Sequence, residues 1–174
     1  EMLPTFKGIA MRVLGRKKIA RVSHDESVLA WREFLARGRE GKAALPEVDP
    51  HSLALLQYTG GTTGTPKGAM LTHANLSANV DQLTRWMPDA KPGQEVTLCV
   101  LPFFHVFAMT VALNTSVNLG AELVLQPRFE LNSLIKALDK KKATIFPGVP
   151  TIYTAINNSA ETLKYDLSHI RCCI

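Results

Sequence analysis

Cysteine is scarce. Cys99, Cys172 and Cys173 are the three in the chain, and they offer neither a disulfide framework nor the paired spacing of a zinc site. A reducing, cytoplasmic compartment is the plain expectation. The opening EMLPTFKGIAMRVLGRKK has no charged n-region followed by a cleavage site, so no signal peptide is expected. A basic stripe is missing as well: 20 Lys and Arg outnumber 15 Asp and Glu, a formal charge of +5, but the two signs are interspersed. Aromatics do not interleave with the basic residues, and neither a zinc-finger nor an RNA-recognition signature is present. Those absences exclude a nucleic-acid binder and leave tolerance of anionic ligands. Internal repeats and low-complexity tracts are also lacking.

Charge is absent altogether between Glu95 and Glu122, a stretch long enough to cross a bilayer. Pro102, His105, Asn114, Asn118 and Gly120 interrupt it, and it divides into a strand, a turn and a helix, so spanning is not expected. What is present is a globular composition, 46% hydrophobic and 20% charged over 174 residues, with length enough for a core.

Residues 1–50 read as a lead-in helix and connector, a fragment of a preceding subdomain. In SVLAWREFLARG, Val28, Leu29, Trp31, Phe34 and Leu35 share one side, which predicts a short helix ended by Gly38. Pro46 and Pro50 then hold a connector extended. Residues 51–174 read as an α/β subdomain, with LALLQYT a buried strand, GAML a short extended piece and THANLSANVDQLTRWM a helix. EVTLCVLP, AELVLQ, ATIFPGV and HIRCCI are further strands, separated by FHVFAMTVALNTSVNLG, ELNSLIKALDKKK and PTIYTAINNS as helices. Alternation of this kind predicts an α/β fold, a mostly parallel sheet with helices on both faces. HIRCCI stops inside an apolar strand, so the chain is expected to be a truncated piece of a longer protein.

Between two apolar runs lies LLQYTGGTTGTPKGAMLTH. Glycine permits positive φ and lets backbone N–H groups converge, threonine adds hydroxyls, and Lys67 supplies a mobile cation, with Pro66 stiffening the approach; such a loop suits a phosphate. It is not the loop of the P-loop NTPases: with Lys67 aligned, Pro66 stands where a glycine is required and Gly68 where the magnesium-binding hydroxyl belongs. The dinucleotide fingerprint G-x-G-x-x-G is absent too.

YTGGTTGTPKGAMLTHAN resembles the AMP-binding signature of the adenylate-forming superfamily, which includes acyl-CoA synthetases, luciferases and peptide-synthetase adenylation domains. The resemblance implies the large N-terminal domain of such an enzyme. It also implies an ATP phosphate loop in which Thr59, Gly61, Thr62, Thr63, Gly64 and Lys67 surround the β- and γ-phosphates, with Gly60, Thr65 and Gly68 completing the cofactor-binding stretch. Gly60 stands where many members carry serine, so one hydroxyl contact is lost. LPFFHVFA is similar to the next landmark of the superfamily, beside the acyl pocket. There His105 is the catalytic candidate and contacts the substrate carboxylate or adenylate, while Phe104 and Met109 join it as substrate contacts. Together with FPGVPTIYTAI and the apolar helix after His105, these motifs resemble bacterial long-chain fatty acyl-CoA synthetases.

What the resemblance implies is a ligase that activates a fatty carboxylate as acyl-AMP and transfers it to coenzyme A, using ATP and Mg2+. No metal ligands are assigned within this stretch. The superfamily's later motifs, a magnesium-binding glutamate and a catalytic lysine among them, are not in the sequence, so the chain alone is expected to be inactive. A homodimer of the full protein is left open, as is a peripheral membrane contact through Arg16, Lys17, Lys18 and Arg21. The alternatives are an aryl-CoA ligase or peptide-synthetase adenylation domain, and a non-catalytic module that binds phosphate or protein.

Overall fold

The computed structural model describes residues 23, 25, 27–41, 44, 46–59 and 66–174. The chain divides into two units, 1–47 and 48–174. In the first, helix α1 spans Trp31–Glu40. It starts later and ends later than the apolar spacing predicts. Asp25 Oδ1 accepts from the backbone N–H groups of Ser27 and Val28 and from the Ser27 hydroxyl, a turn that keeps Ser27 and Val28 out of the helix. At the other end the helix passes through Gly38, supported by the Glu33–Arg37 pair at 2.6 Å and by Arg39 in its last turn, and stops before the extended Gly41.

Among the described residues the second unit holds two sheets. β1 (Leu53–Thr59) and β2 (Lys67–Thr72) form an antiparallel ribbon in which Tyr58 faces Gly68 and Thr59 faces Lys67. LALLQYT is therefore a strand, but not the buried one its apolar run predicts: Leu56 is 47% and Tyr58 62% exposed. Among the described residues its one strand partner is β2, and two strands cannot cover both faces of each other. β2 runs straight into helix α2 (His73–Arg85) through a capping box: Thr72 Oγ1 accepts from the Asn75 N–H and Asn75 Oδ1 from the Thr72 N–H.

The main sheet is parallel, in the order β4-β3-β5-β6, with β3 at Val96–Cys99, β4 at Glu122–Leu125, β5 at Ile145–Phe146 and β6 at Cys172–Cys173. A helical rod joins β3 to β4: α3 (Val106–Ala108), a π-helical segment (Met109–Asn114) and α4 (Thr115–Leu119). Thr115 donates both its N–H and its hydroxyl to the Thr110 carbonyl, five residues back, and that spacing widens the turn. Gly120 closes the rod at φ 61°, the left-handed conformation that favours glycine there. Helix α5 (Leu131–Lys141) returns the chain over β3 to β5, and α6 (Pro150–Asn157), with proline at its first turn, leads on to β6.

Strand alternation sorts the core onto two faces. Leu98, Val124 and Phe146 pack with Leu134, Ile135 and Leu138 of α5 and Ile152 and Ile156 of α6. Ile145 points the other way, to Met87 and Leu119, where Ser116 donates to the buried Thr97 hydroxyl at 2.8 Å. Both faces of the sheet are thus covered, as expected of an apolar parallel sheet. No helix among the described residues is long and apolar enough to cross a membrane.

Candidate functional site

Sheet order decides where a ligand can enter. From β3 the chain steps outward to β4 and then back across to β5, so the gap between the carboxyl ends of β3 and β5 is a topological switch point, where loops part in opposite directions. A cavity of about 440 Å3 lies there. Leu101, Phe104, His105 and Phe107 of the β3–α3 connection form one wall, and Gly148, Val149 and Pro150 of the β5–α6 turn form the other. With a single ionisable side chain on walls otherwise of carbon, the groove suits an alkyl or aromatic group.

His105 holds a defined tautomer. Its Nδ1 accepts the Phe107 N–H at 3.3 Å, capping α3, and the His105 backbone N–H donates to the Pro102 carbonyl at 3.1 Å. An imidazole that accepts at Nδ1 carries its proton, when neutral, on Nε2. The side chain therefore offers a fixed N–H donor at the edge of an apolar slot. Phe104, 83% exposed, stands on the same wall. Met109 is half-buried in the π-helical segment and does not line the groove.

The phosphate-loop residues fall on both sides of a boundary. Gly60, Gly61, Thr62, Thr63, Gly64 and Thr65 lie outside the described residues, as do Arg16, Lys17, Lys18 and Arg21. Thr59 is the last residue of β1, and Lys67 and Gly68 open β2, so the glycine and threonine run connects two paired strands. The Tyr58 ring lies over its partner Gly68; a methyl added there would stand 3.5 Å from the ring, in ordinary contact. No described residue of the ribbon lines the groove. The structure brings Phe104 and His105 together, and sequence reasoning missed the opposite wall, Gly148 to Pro150. Its signal was present in FPGVPTIYTAI, but only the pairing of β3 with β5 sets that turn across from His105.

The amino ends of the same strands carry a different arrangement. Glu95, 1% exposed, accepts from the Lys91 N–H at 2.6 Å, from the Thr144 hydroxyl and from Arg171. Burial pushes its carboxyl up, and the Lys91, Thr144 and Arg171 contacts outweigh that and hold it below the ordinary glutamate value. Cys99, buried under the rod, has its thiol pushed up to about 12 by desolvation, which makes it a packing residue and no nucleophile. Among the described residues no three His, Cys, Asp or Glu side chains converge to hold a metal.

A doubly covered parallel sheet with a crevice at its switch point belongs to the class of α/β ligand-binding domains. The chain is a member of the AMP-binding enzyme family, which matches residues 9–174. It is 49% identical over 131 residues to a long-chain-fatty-acid–CoA ligase of Bacillus subtilis (strain 168), covering 75% of the chain and 23% of that relative. It is 42% identical over 127 residues to 4-coumarate–CoA ligase 1 of Arabidopsis thaliana, covering 72% and 23%. Among solved structures, ATP-bound MatB from Rhodopseudomonas palustris aligns with a TM-score of 0.65 at 29% identity, over 80% of this chain and 27% of that one. The chain thus spans about a quarter of the length of these relatives.

Proposed function

We propose that the chain is part of the large domain of an ATP-dependent long-chain fatty acid–CoA ligase. The observation that carries this reading is the apolar groove at the switch point with the His105 N–H donor at its edge. In the first step a fatty carboxylate oxygen attacks the α-phosphorus of ATP; the bond to the β-phosphate oxygen breaks and pyrophosphate leaves. In the second, the thiol of coenzyme A attacks the acyl carbonyl, its proton is lost, and AMP departs. The anhydride is what makes a carboxylate, a poor electrophile, transferable.

Each part of this chain has a place in that scheme. Thr59, the run Gly60–Thr65, Lys67 and Gly68 cradle the β- and γ-phosphates, where charge accumulates as pyrophosphate leaves. His105 donates Nε2–H to the carboxylate or adenylate oxygen, and Phe104 and Phe107 flank the alkyl chain. Mg2+ accompanies ATP in this reading and neutralises phosphate charge; with no described cluster of metal ligands, no step is assigned to it. The 174 residues alone do not complete the reaction. The full-length protein works in the cytoplasm, and Arg16, Lys17, Lys18 and Arg21 favour contact with an anionic membrane face.

A second reading, an aryl-CoA ligase, is favoured by the 42% identity to 4-coumarate–CoA ligase 1, since the same groove accepts a flat ring. Carboxylate-dependent exchange between ATP and pyrophosphate, measured on the full-length protein with acetate, benzoate, amino acids and fatty acids, separates them. Exchange that peaks with long fatty acids and is lowered in Lys67→Ala and His105→Ala supports the proposal. A peak at benzoate supports the second reading, and no exchange with any acid leaves a binding module.

A further inference from the structure

The wall opposite His105 leads directly into the first turn of α6, where the Val149 carbonyl accepts from the Ile152 N–H and the Pro150 carbonyl from the Thr154 hydroxyl. A further brace comes from Tyr153, one turn into α6. Its ring meets Phe146 edge-on, with centroids 5.5 Å apart and planes at 78°. Its hydroxyl stands 2.8 Å from the Phe146 carbonyl and 3.0 Å from the Ile174 carbonyl. The Gly148 N–H donates to the same Ile174 carbonyl at 2.9 Å. Burial is the largest of the effects that push the Tyr153 phenol up to about 12, so it stays a neutral donor throughout the working pH range.

Gly148 is matched to that ring. A Cβ built on Gly148 would lie 2.8 Å from Tyr153 Cζ and 2.9 Å from its hydroxyl, closer than real contacts allow. Ring and turn therefore fit only because residue 148 has no side chain, and the turn rests on the ring. The backbone of the turn is also tied on by the Gly148 N–H to the Ile174 carbonyl and by the Val149 carbonyl, which accepts from the Ile152 N–H at 2.9 Å, but Tyr153 is the side chain that braces it.

We propose that Tyr153 is a positioning residue of the groove: through the Phe146 carbonyl and the bare Gly148 it sets the spacing between the Gly148–Pro150 wall and the His105–Phe107 wall, and so selects which acyl chains bind productively. The inference rests on the ligase reading above. Tyr153 touches no reacting atom, so its effect falls on the acid and not on the chemistry.

The test uses the full-length protein carrying Tyr153→Phe, which keeps the ring, and separately Gly148→Ala, which displaces it. Exchange between ATP and pyrophosphate is measured with straight-chain acids from acetate to octadecanoate, together with the melting temperature. Loss of one partly buried neutral hydrogen bond is expected to raise KM for the preferred long acid roughly fivefold in Tyr153→Phe. The optimum moves to a different chain length, while kcat at saturating acid and KM for ATP stay within twofold of the parent value. Gly148→Ala, at a residue that itself lines the groove, is expected to raise the acid KM and move the optimum as well. An unchanged acid KM and optimum in both variants overturns the inference. So does a parallel change in acid KM, ATP KM and melting temperature, which marks a purely structural role.

If the unsubstituted protein exchanges with no acid, the ligase reading fails and the groove is read directly, by titrating the full-length protein with a fluorescent long-chain fatty acid. Weaker binding by Tyr153→Phe then upholds the positioning role, and equal binding overturns it.

Discussion

The two ends of one parallel sheet have opposite characters. At the amino ends of β3, β5 and β6, Glu95, Thr144 and Arg171 close into a satisfied polar cluster, and Arg171 also donates to the Asp89 carbonyl at 2.8 Å. At the carboxyl ends the chain leaves an apolar groove in which Phe104 stands exposed and His105 keeps a donor unspent. A cavity of about 370 Å3 borders the polar end too, but the Glu95 carboxylate there is already engaged by Lys91, Thr144 and Arg171, whereas the groove retains both apolar area and a directed N–H. The polar end is built for cohesion and the apolar end for binding, and substitutions should separate accordingly.

Arg171→Ala is expected to have the largest effect on stability. It leaves the Glu95 carboxylate buried without its cation, at a cost of about 3 kcal/mol, seen as a lower denaturation midpoint of the full-length protein with its acid preference unchanged. An altered acid preference would break the division between the two ends. His105→Ala should do the reverse, cutting exchange roughly tenfold to hundredfold through loss of one directed donor. Because His105 is exposed, its melting temperature is expected to stay near the parent value.

Acid should act on the polar end first. Glu95 is held below the ordinary glutamate value, so its contribution to stability is fully present above the unfolded pKa of about 4.3 and is lost as pH falls through the lower folded value. Denaturant melts below about pH 4 should therefore fall more steeply in the parent than in Glu95→Gln. The smallest effects concern element ends away from both sites. Gly120→Ala forces a methyl into left-handed backbone, and Thr72→Ala removes a cap; each is expected to cost about 1 kcal/mol, with exchange unchanged.

Local signals in the sequence were legible where local physics governs. Gly120 and Pro150 each mark a helix end that forms as the sequence suggests, because a fixed φ acts within a few residues, while Thr72 stands outside its helix as the cap, paired with Asn75. The alternation of strands and helices likewise announced a parallel sheet with both faces covered. LALLQYT misled because an apolar run states what a strand could bury and not whether another element arrives to cover it. Ser27 and Val28 misled because the Asp25 turn competes with helix for their backbone donors.

The sequence by itself determined the membership of this chain in the AMP-binding enzymes, through a contiguous loop motif; it singled out Lys67 on residue type within that loop and His105 through the resemblance of LPFFHVFA to the superfamily's next landmark. Such features are local in the chain, so no fold is needed to read them. Only the tertiary structure decided that β5 lies beside β3, that Gly148 to Pro150 faces His105 across the groove, and that Tyr153 supports that wall. The first two relations join residues more than forty positions apart, and they exist because burying the two faces of a single sheet forces the chain to cross back over β3; the third needs the α6 ring to meet both β5 and the end of β6.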